Sequence, residues 1–358
     1  MLEVADIFRL HGPDYRAQFG TRMLPSHRRA MQDIEQCRTA SLGGQLYYCD
    51  NCKEQRYRYH SCKNRHCPKC QNQQANEWLK EQSELLLPTH HFLVTFTLPA
   101  ELRALARSHQ QMIYHLLFRA SAAALQSLAQ DPRFVGARLG MVGVLHTWTR
   151  QLLYHPHVHY LVTGGGLSDD GRWLSSRKDF LVPVKALSPI FRAKFRDELK
   201  KTELSSLVDS HVWRKDWVVH SEPVGSGEAA FKYLAPYIFR VALSNNRLRK
   251  LHHGQVTFAY KESSTDQLKR CTITAQEFIR RFLQHVLPNR FIKVRYYGLL
   301  SPAQRQRLRQ ARQLLMAATH KLKSQLIKSF PPPPIPSCPQ CQGPLTLLGP
   351  VLPRGRAP

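Results

Sequence analysis

Six of the nine cysteines in this 358-residue chain lie between Cys37 and Cys70, and this clustering constrains the fold more than any other feature. Cys49-Asp-Asn-Cys52 and Cys67-Pro-Lys-Cys70 are two Cys-x2-Cys motifs separated by 14 residues, just below the usual spacing of a four-thiolate zinc ribbon. Residues 1–85 contain few long apolar stretches, so a domain of this kind needs a metal ion to stabilise it. We therefore predict a structural Zn²⁺ ion bound by Cys49, Cys52, Cys67 and Cys70.

A second zinc ion is an open alternative in the same region. Cys37, His60, Cys62 and His66 together could supply a complete second site. The competing interpretation is that the two histidines are exposed polar residues beside DNA, and that one or both cysteines are small core residues. The sequence thus predicts one or two structural zinc ions.

The chain is strongly basic, with 52 Lys and Arg residues against 25 acidic residues and a net charge of +27. From Phe278 to Pro358 there are 14 Lys or Arg residues and no Asp or Glu. Such a surface favours a polyanionic partner, above all DNA, because basic side chains neutralise phosphates. No apolar run approaches the roughly 18 residues that a membrane span requires, so we expect no membrane partner.

The N-terminal residues do not have the pattern of a secretory signal, so we expect a cytoplasmic protein that is associated with the nucleoid when it binds DNA. In a reducing compartment, clustered cysteines favour metal binding over disulfides. Arg56 and Arg65 lie among the predicted zinc ligands, where they are candidates for DNA contacts.

The composition of the sequence changes after residue 85, where longer apolar runs begin. Apolar runs at residues 92–98, 141–148, 158–163, 180–184, 217–220, 255–260 and 291–297 predict strands, and periodic stretches at 102–130, 191–207, 227–243 and 275–287 predict helices. This order predicts an α+β domain over residues 86–300 with a mainly antiparallel sheet. Residues 301–358 contain a basic helical stretch at 302–328, a run of prolines, and Cys338-Pro-Gln-Cys341. We interpret that last motif as a degenerate site or a half site, and the isolated Cys271 as a core residue.

The most informative stretch is Tyr154-His-Pro-His-Val-His-Tyr160. In an extended chain, alternation places His157 and His159 on one face, about 6.6 Å apart, and Val158, Tyr160 and Val162 on the other. Two imidazoles at this spacing can bind one cation. The third ligand stays open: His146, near the end of the preceding strand, is the leading candidate, and His155 is the second. Phosphate chemistry at such a site suits Mg²⁺ or Mn²⁺, although imidazole also accepts Zn²⁺.

Tyr233 and Tyr237 are four residues apart in a predicted helix, so both hydroxyls lie on one face. A tyrosine with a pKa of about 10 is a poor nucleophile unless a base, a cation or a metal-polarised substrate assists it. Beside the predicted metal, either tyrosine could attack a phosphodiester and form a phosphotyrosine.

These features together resemble the two-tyrosine rolling-circle transposases of bacterial insertion sequences, over about residues 10–300. The segments that carry the resemblance are Cys37-Arg-Thr-Ala40, Leu42-Gly-Gly44, Cys49-Asp-Asn-Cys52, Ser61-Cys62, Arg65-His-Cys67-Pro-Lys-Cys70-Gln71, His146-Thr147, His155-Pro-His-Val-His159, Tyr233-Leu-Ala-Pro-Tyr237 and Arg240-Val-Ala-Leu-Ser-Asn-Asn-Arg247.

The resemblance implies an HUH (His-hydrophobic-His) nuclease fold preceded by a zinc-binding domain. It also implies single-stranded DNA at element ends as substrate, a divalent metal on His157 and His159, and Tyr233 and Tyr237 as sequential nucleophiles. Where Pro236 stands, the family leads us to expect a basic or polar residue. A proline deep in a helix would kink the chain and could misplace Tyr233 relative to Tyr237, so Tyr237 is the safer of the two nucleophiles. No nucleotide cofactor is expected.

Further DNA contacts are predicted around the tyrosines, at Lys232, Arg240, Arg247, Arg249 and Lys250. Two other functions compete with that of a transposase. One is a zinc-dependent DNA-binding protein without cleavage activity, against which the presence of both histidines and both tyrosines argues. The other is an HUH replication initiator or relaxase, against which the N-terminal cysteine motifs argue.

Overall fold

The computed structural model describes residues 2–70, 85, 87–226, 241–262, 265–318 and 336–354. Its helices are α1 (Val4–Phe19), α2 (Pro25–Gln36), α3 (Arg103–Ser108), α4 (Gln110–Ala129), α5 (Val184–Leu199), α6 (Ala275–Leu283) and α7 (Arg305–Ala318). Its strands are β1 (Gly44–Cys49), β2 (Glu54–Tyr59), β3 (His90–Thr97), β4 (Arg138–Trp148), β5 (Tyr154–Leu167), β6 (Trp173–Ser175), β7 (Val219–Ser226), β8 (Leu248–His252), β9 (Gln255–Lys261), β10 (Leu268–Thr274), β11 (Val294–Gly298) and β12 (Leu345–Val351).

A central antiparallel sheet organises the middle of the chain, with strand order β11-β4-β5-β3-β7 and with β6 paired to β5. Helices α4 and α5 lie on one face, where their apolar side chains form the largest core with residues such as Phe96, Val158 and Tyr160. Helix α7 packs on the other face, against a core that includes Val144 and Leu161. The predicted α+β class with a mainly antiparallel sheet is confirmed.

Alternation along β5 decides what each face of the sheet carries. Val158, Tyr160 and Val162 are fully buried under α4 and α5. The residues between them belong to the opposite face, which carries Leu161 under α7 and, towards the start of the strand, His157 and His159. A single strand therefore builds the main core with one set of side chains and presents polar ligands with the other.

Proline is rare in a central strand because it cannot donate a ladder hydrogen bond, yet Pro156 lies in β5. The neighbouring strands accommodate it. Strand β3 ends at Thr97, opposite His157, and β4 has a bulge between His146 and Trp148. The Pro156 carbonyl accepts a hydrogen bond from the Leu98 amide at 3.0 Å, so the ladder loses only one donor.

The N-terminal helices share a core with the middle of the chain. Buried residues of α1 and α2 pack with Cys37, Cys67 and Cys70 and with the apolar face of α6. Phe8 of α1 meets Phe282 of α6 edge to face, with ring centroids 5.3 Å apart. This core also receives residues from a small sheet of order β10-β9-β8.

A third sheet joins the two ends of the chain. Strands β1 and β2 form an antiparallel hairpin, and β12 pairs with the other edge of β1. Strands β1 and β12 are separated by almost the whole chain, so the periodicity of the sequence gave no indication that they pair.

The strand predicted at residues 180–184 is wrong. Leu181 and Val182 are buried in the main core, but they lie in a loop, and Pro183 is the N-cap of α5. The apolar run reflects burial without strand pairing, and Pro183 tolerates the N-cap position because no helix hydrogen bond needs its missing N–H. The helix predicted at residues 227–243 lies almost entirely outside the described residues, and Val241 to Leu243 are not helical.

Among the described helices, none combines the length and the apolar character that are needed to cross a membrane.

Gly143 of β4 provides a test of this packing. It lies opposite Tyr160, whose hydroxyl is fixed by Ser121 at 2.9 Å and by the Phe118 carbonyl at 3.0 Å. A Cβ at position 143 would lie 2.5 Å from the Tyr160 ring. We expect Gly143→Ala to lower the free energy of unfolding by about 1–3 kcal/mol, because this core cannot take an added methyl group without strain. Urea denaturation measures the effect.

The matched control is Gly20→Ala, because a Cβ at Gly20 has no heavy atom within 4 Å. That variant should unfold within about 0.5 kcal/mol of the parent. Equal stability of the two variants would contradict this account of the β4–β5 packing.

Candidate metal centres

Three histidines meet on the face of the central sheet that α7 partly covers. His146 of β4 is directly opposite His157 of β5 in the register, and His159 follows two residues later. Their rings are 4.7 Å (157 to 159), 4.9 Å (146 to 159) and 5.5 Å (146 to 157) apart between centroids. One ligand nitrogen from each lies within 4.8 Å of the other two. The structure thus brings the leading candidate for a third ligand beside the predicted pair.

Hydrogen bonds orient two of these rings. Nδ1 of His157 donates to the His155 carbonyl at 2.7 Å, because a carbonyl oxygen can only accept. Nδ1 of His159 is 2.8 Å from the Thr95 hydroxyl on the neighbouring strand. Both bonds engage Nδ1, so Nε2 is the nitrogen of each ring that could bind a metal ion, as in metal sites whose outer contacts fix the imidazole. Burial lowers the pKa of His157 to about 4, which keeps its ring neutral and able to bind a cation.

His155, the second candidate for the third ligand, lies outside this group. Its Nδ1 accepts a hydrogen bond from Arg103 at 2.7 Å, and its ring is 5.2 Å from that of His157. Burial and the neighbouring Arg103 charge lower the pKa of His155 to about 4. The His155 ring is therefore engaged by Arg103 and does not join the histidine group. The backbone carbonyl of His155 does contribute, because it accepts the hydrogen bond that orients His157.

A narrow cavity adjoins the histidine group through Trp148, whose ring stacks on His146 at 4.7 Å. The Lys293 amine lies 5.4 Å from the centre of the same indole. Burial and repulsion by Arg65 lower the pKa of Lys293 to about 7. The described residues lining the cavity include no acid. Arg65 and Lys293 therefore bring two basic groups to the wall of this cavity.

Lys293 and Thr95 were not predicted from the sequence. Thr95 is opposite His159 in the β3–β5 register, a relation that requires the strand pairing to be known. Lys293 comes just before β11, which pairs with β4. Its position beside the histidine group therefore also depends on a strand pairing that the sequence does not show.

The predicted nucleophiles Tyr233 and Tyr237 lie outside the described residues, as do Lys232 and Arg240. The remaining predicted DNA contacts behave differently from one another. The Arg247 guanidinium donates to the carbonyls of Ala259, at 2.8 Å, and Arg150. Arg249 and Lys250 are exposed on β8.

The two basic residues predicted to contact DNA from the zinc region are both held by protein groups. Arg65 donates to the carbonyls of Pro288, at 2.9 Å, and Phe291, and it lines the cavity beside Trp148. Arg56 pairs with Glu54 and donates to Gln340 at 2.5 Å. These contacts give both side chains a role in joining segments of the chain.

Eight of the nine cysteines form two groups of four, and the predicted site of Cys49, Cys52, Cys67 and Cys70 is wrong. Cys67 and Cys70 lie instead with two cysteines that the sequence assigned to a second site, Cys37 and Cys62. The Cys70 sulfur is 3.6 Å from those of both Cys37 and Cys62. Cys37 directly follows α2, so the first group fastens the loop at residues 61–70 to that helix.

Cys49 and Cys52 lie with Cys338 and Cys341 of the tail, so the tail motif is one half of a four-cysteine group whose other half comes from the N-terminal part of the chain. The Cys49 and Cys341 sulfurs are 3.5 Å apart, and those of Cys52 and Cys338 are 3.8 Å apart. Spacing along the sequence paired the two nearest motifs, whereas the fold pairs each of them with cysteines from elsewhere.

Neither histidine predicted for the second zinc site joins a cysteine group. His66 is turned away, and its Nε2 accepts a hydrogen bond from the Leu287 amide at 3.2 Å. His60 is exposed, which agrees with the competing interpretation of it as a polar surface residue. Cys271 is partly buried against the core shared with α6, as predicted.

The sulfur separations of the first group fit a tetrahedral ion. Zn–S bonds of about 2.3 Å place neighbouring sulfurs of a tetrahedron about 3.8 Å apart, whereas a disulfide requires about 2.05 Å. All nine cysteines are free. Cys37, Cys62, Cys67 and Cys70 therefore form a set that Zn²⁺ would complete.

The Thr95 hydroxyl offers a test of the histidine group. We expect Thr95→Val to weaken Mn²⁺ binding about 10-fold or more, because losing a hydrogen bond that orients a ligand ring has that order of effect. Titration calorimetry measures the affinity. Thr272→Val on the exposed face of β10 should leave it unchanged, and an unaltered affinity in Thr95→Val would show that the His159 ring does not depend on this hydroxyl.

Comparison with known proteins gives a consistent identification. A family profile described as "Transposase zinc-binding domain" matches residues 7–98, and one described as "Putative transposase" matches residues 140–307. Cys37, Cys62, Cys67 and Cys70 all lie within the first range and the three histidines within the second. Cys338 and Cys341 lie outside both.

Two relatives cover most of the chain. "Putative transposase y4qJ" of Sinorhizobium fredii (strain NBRC 101917 / NGR234) is 43% identical over 335 residues, which cover 87% of this chain and 84% of that protein. "Transposase for insertion sequence element IS801" of Pseudomonas savastanoi pv. phaseolicola is 30% identical over 288 residues, covering 74% of this chain and 68% of that protein. No solved structure matches the chain. The chain therefore belongs to the two-tyrosine rolling-circle family of insertion-sequence transposases, with a transposase zinc-binding domain at its N-terminal end.

Proposed function

We propose that this transposase nicks and rejoins single-stranded DNA at the ends of a mobile element through a 5′-phosphotyrosine intermediate. The observation that carries the proposal is the meeting of His146, His157 and His159 on one face of the central sheet, with two rings fixed by hydrogen bonds. Such a group is the ligand set for a divalent cation in phosphoryl-transfer chemistry. Bound there, Mg²⁺ or Mn²⁺ would polarise the scissile phosphate.

The residues of the chain supply the remaining parts of the reaction. The hydroxyl oxygen of Tyr237 or Tyr233 attacks phosphorus, so that a P–O(tyrosine) bond forms while the P–O3′ bond breaks. The phenol gives up its proton and the departing 3′ oxygen gains one, which leaves a 3′-hydroxyl and a 5′-linked protein. Rejoining reverses these steps with a DNA 3′-hydroxyl as the nucleophile. The exchange conserves the energy of the bond, so it needs no nucleotide cofactor.

Cations beside the histidines support the binding of a phosphate. Lys293 and Arg65 line the cavity that shares Trp148 with the histidine group. Because the pKa of Lys293 is lowered to about 7, an arriving phosphate would favour its protonated form. We propose that Lys293 binds the backbone next to the scissile phosphate, that Arg65, held by the carbonyls of Pro288 and Phe291, positions this wall of the cavity, and that Trp148 limits the access of water.

The surrounding surface supports DNA as the partner. Arg249 and Lys250 are exposed on β8, and the chain as a whole carries a net charge of +27. We propose that residues 1–85 act as a zinc-stabilised DNA-contact domain, residues 86–300 as the nuclease, and residues 301–358 as a basic tail. Because its substrate would be DNA, we also propose a cytoplasmic, nucleoid-associated site of action.

A zinc-dependent DNA-binding protein without cleavage activity is the second candidate. The oriented histidine group argues against it, because a protein that only binds DNA does not need three ring nitrogens directed at one point. A replication initiator or relaxase would share the histidine chemistry, but the family relationship favours transposition.

Removing the ligands should separate cutting from binding. We expect His157→Ala/His159→Ala to abolish Mn²⁺-dependent nicking of a labelled single strand that carries an element end, and to leave binding of the strand largely intact, because basic side chains supply most of the affinity. The assays are denaturing gel electrophoresis and fluorescence anisotropy.

His211→Ala is the matched control, since His211 is exposed and far along the chain from the histidine group. It should nick like the parent. Nicking by the double alanine variant would rule out this metal centre as the catalytic site.

The two tyrosines should be partly separable. We expect Tyr237→Phe to lose the covalent protein–DNA adduct, and Tyr233→Phe to retain nicking but fail in complete transposition, because two covalent links in sequence require two hydroxyls. The double phenylalanine variant should bind DNA without forming an adduct. Mass spectrometry of the digested adduct identifies the modified residue.

Tyr260→Phe is a suitable control, because Tyr260 lies on β9 and is not part of the proposed chemistry. An adduct on Tyr260 or Tyr296, or an undiminished adduct in the Tyr233→Phe/Tyr237→Phe variant, would show that the nucleophile lies elsewhere in the chain.

A further inference from the structure

We propose that Cys49, Cys52, Cys338 and Cys341 bind one Zn²⁺ ion that fastens the C-terminal tail to the N-terminal zinc-binding domain. The site would be a zinc ribbon with its two halves taken from opposite ends of the chain. This proposal is independent of the cleavage chemistry.

The two Cys-x2-Cys turns have the same backbone geometry. The Lys53 amide donates to the Cys49 carbonyl at 2.8 Å, and the Gln342 amide donates to the Cys338 carbonyl at 2.8 Å. Lys53 has φ of 56° and Gln342 has φ of 62°, both in the left-handed region that non-glycine residues seldom adopt. Each residue directly follows the second cysteine of its motif. Two segments that are distant in sequence thus adopt the same strained turn. In both, this turn directs the two cysteine sulfurs towards one position.

The sulfur positions fit that task. The separations across the two turns, 3.5 Å and 3.8 Å, match the edge of about 3.8 Å expected of a tetrahedron with Zn–S bonds of about 2.3 Å. They are far longer than the S–S bond of about 2.05 Å in a disulfide. All four sulfurs lie within 4.8 Å of one another. Four thiolates without another ligand type favour Zn²⁺ over hard cations such as Mg²⁺.

The protein around the site holds the two halves in register. Strand β12 pairs with β1 from Cys49↔Leu345 to Gly44↔Val351. Side chains also cross the junction: Arg56 donates to Gln340 at 2.5 Å, and the Thr346 hydroxyl donates to Asp50 at 3.3 Å. The cysteines of both halves therefore approach along a defined strand pair.

The core of this small unit is too small to stabilise it alone. In the described part of the chain, its buried residues are Tyr47, Cys49, Cys338 and Leu345. A three-stranded sheet with so little buried apolar surface needs a metal ion to remain folded. Cys52 and Cys338 are 286 positions apart, and an ion that closes so long a loop also lowers the entropy of the unfolded chain. Metal binding would thus couple the folding of the two chain ends.

The test measures thiolate-bound metal in the full-length chain loaded with Co²⁺, because thiolate-to-cobalt charge-transfer absorption is not produced by histidine ligands. We expect the parent to show two equivalents of this absorption. Cys49→Ser/Cys52→Ser and Cys338→Ser/Cys341→Ser should each show one, because each removes half of the same site. The quadruple variant should also show one, and Cys271→Ser should show two.

The decisive result is that the losses of bound metal in the two double variants do not add up in the quadruple variant. If the quadruple variant loses more than either double variant, or if Cys338→Ser/Cys341→Ser still binds two equivalents, the shared site is overturned. Exposed Cys341 allows a milder variant that does not depend on the folding of the double variants. Cys341→His should retain two equivalents of bound metal because imidazole is also a zinc ligand, whereas Cys341→Ser should lose one. Equal metal content in these two variants would overturn the proposal.

Discussion

The pairing of β4 with β5 is the constraint on which the histidine group depends. His146 meets His157 and His159 only because the register places it opposite His157, and a slip of one residue would turn both β5 histidines into the main core. The register is held from the opposite face, where Tyr160 packs over Gly143 and its hydroxyl is fixed by α4. The apolar side of the sheet therefore specifies the geometry of its polar side.

The sequence was most informative where a single segment contains the whole signal. Alternation in β5 was sufficient to predict that His157 and His159 share a face, and the short return from β4 was sufficient to favour His146. The orienting contacts of Thr95 and the position of Lys293 could not be predicted in the same way, because both depend on strands that are distant in sequence. Local periodicity defines faces, whereas neighbours across a sheet depend on topology.

The cysteines show the same limit in a stronger form. Spacing predicted one site from two nearby motifs, yet each motif is completed by cysteines from other segments, and Cys338 is 286 positions from Cys52. All cysteines offer the same ligand atom, so the sequence alone does not show which four of the nine would bind one ion. Only the folded backbone shows that α2 delivers Cys37 to one group and that β12 brings the tail to the other.

The core that α1 shares with α6 bears on how such transposases can diverge. Phe8 packs on Phe282, and the Arg65 guanidinium donates to the Pro288 carbonyl, so the zinc-binding end is built into the body of the protein. A module joined by a flexible linker can be exchanged between relatives by simple recombination at that linker. Here an exchange at residue 85 would leave a foreign α1 facing a resident α6, with mismatched apolar surfaces. Relatives of this chain should therefore inherit the two parts together and differ in the zinc-binding part mainly at exposed positions.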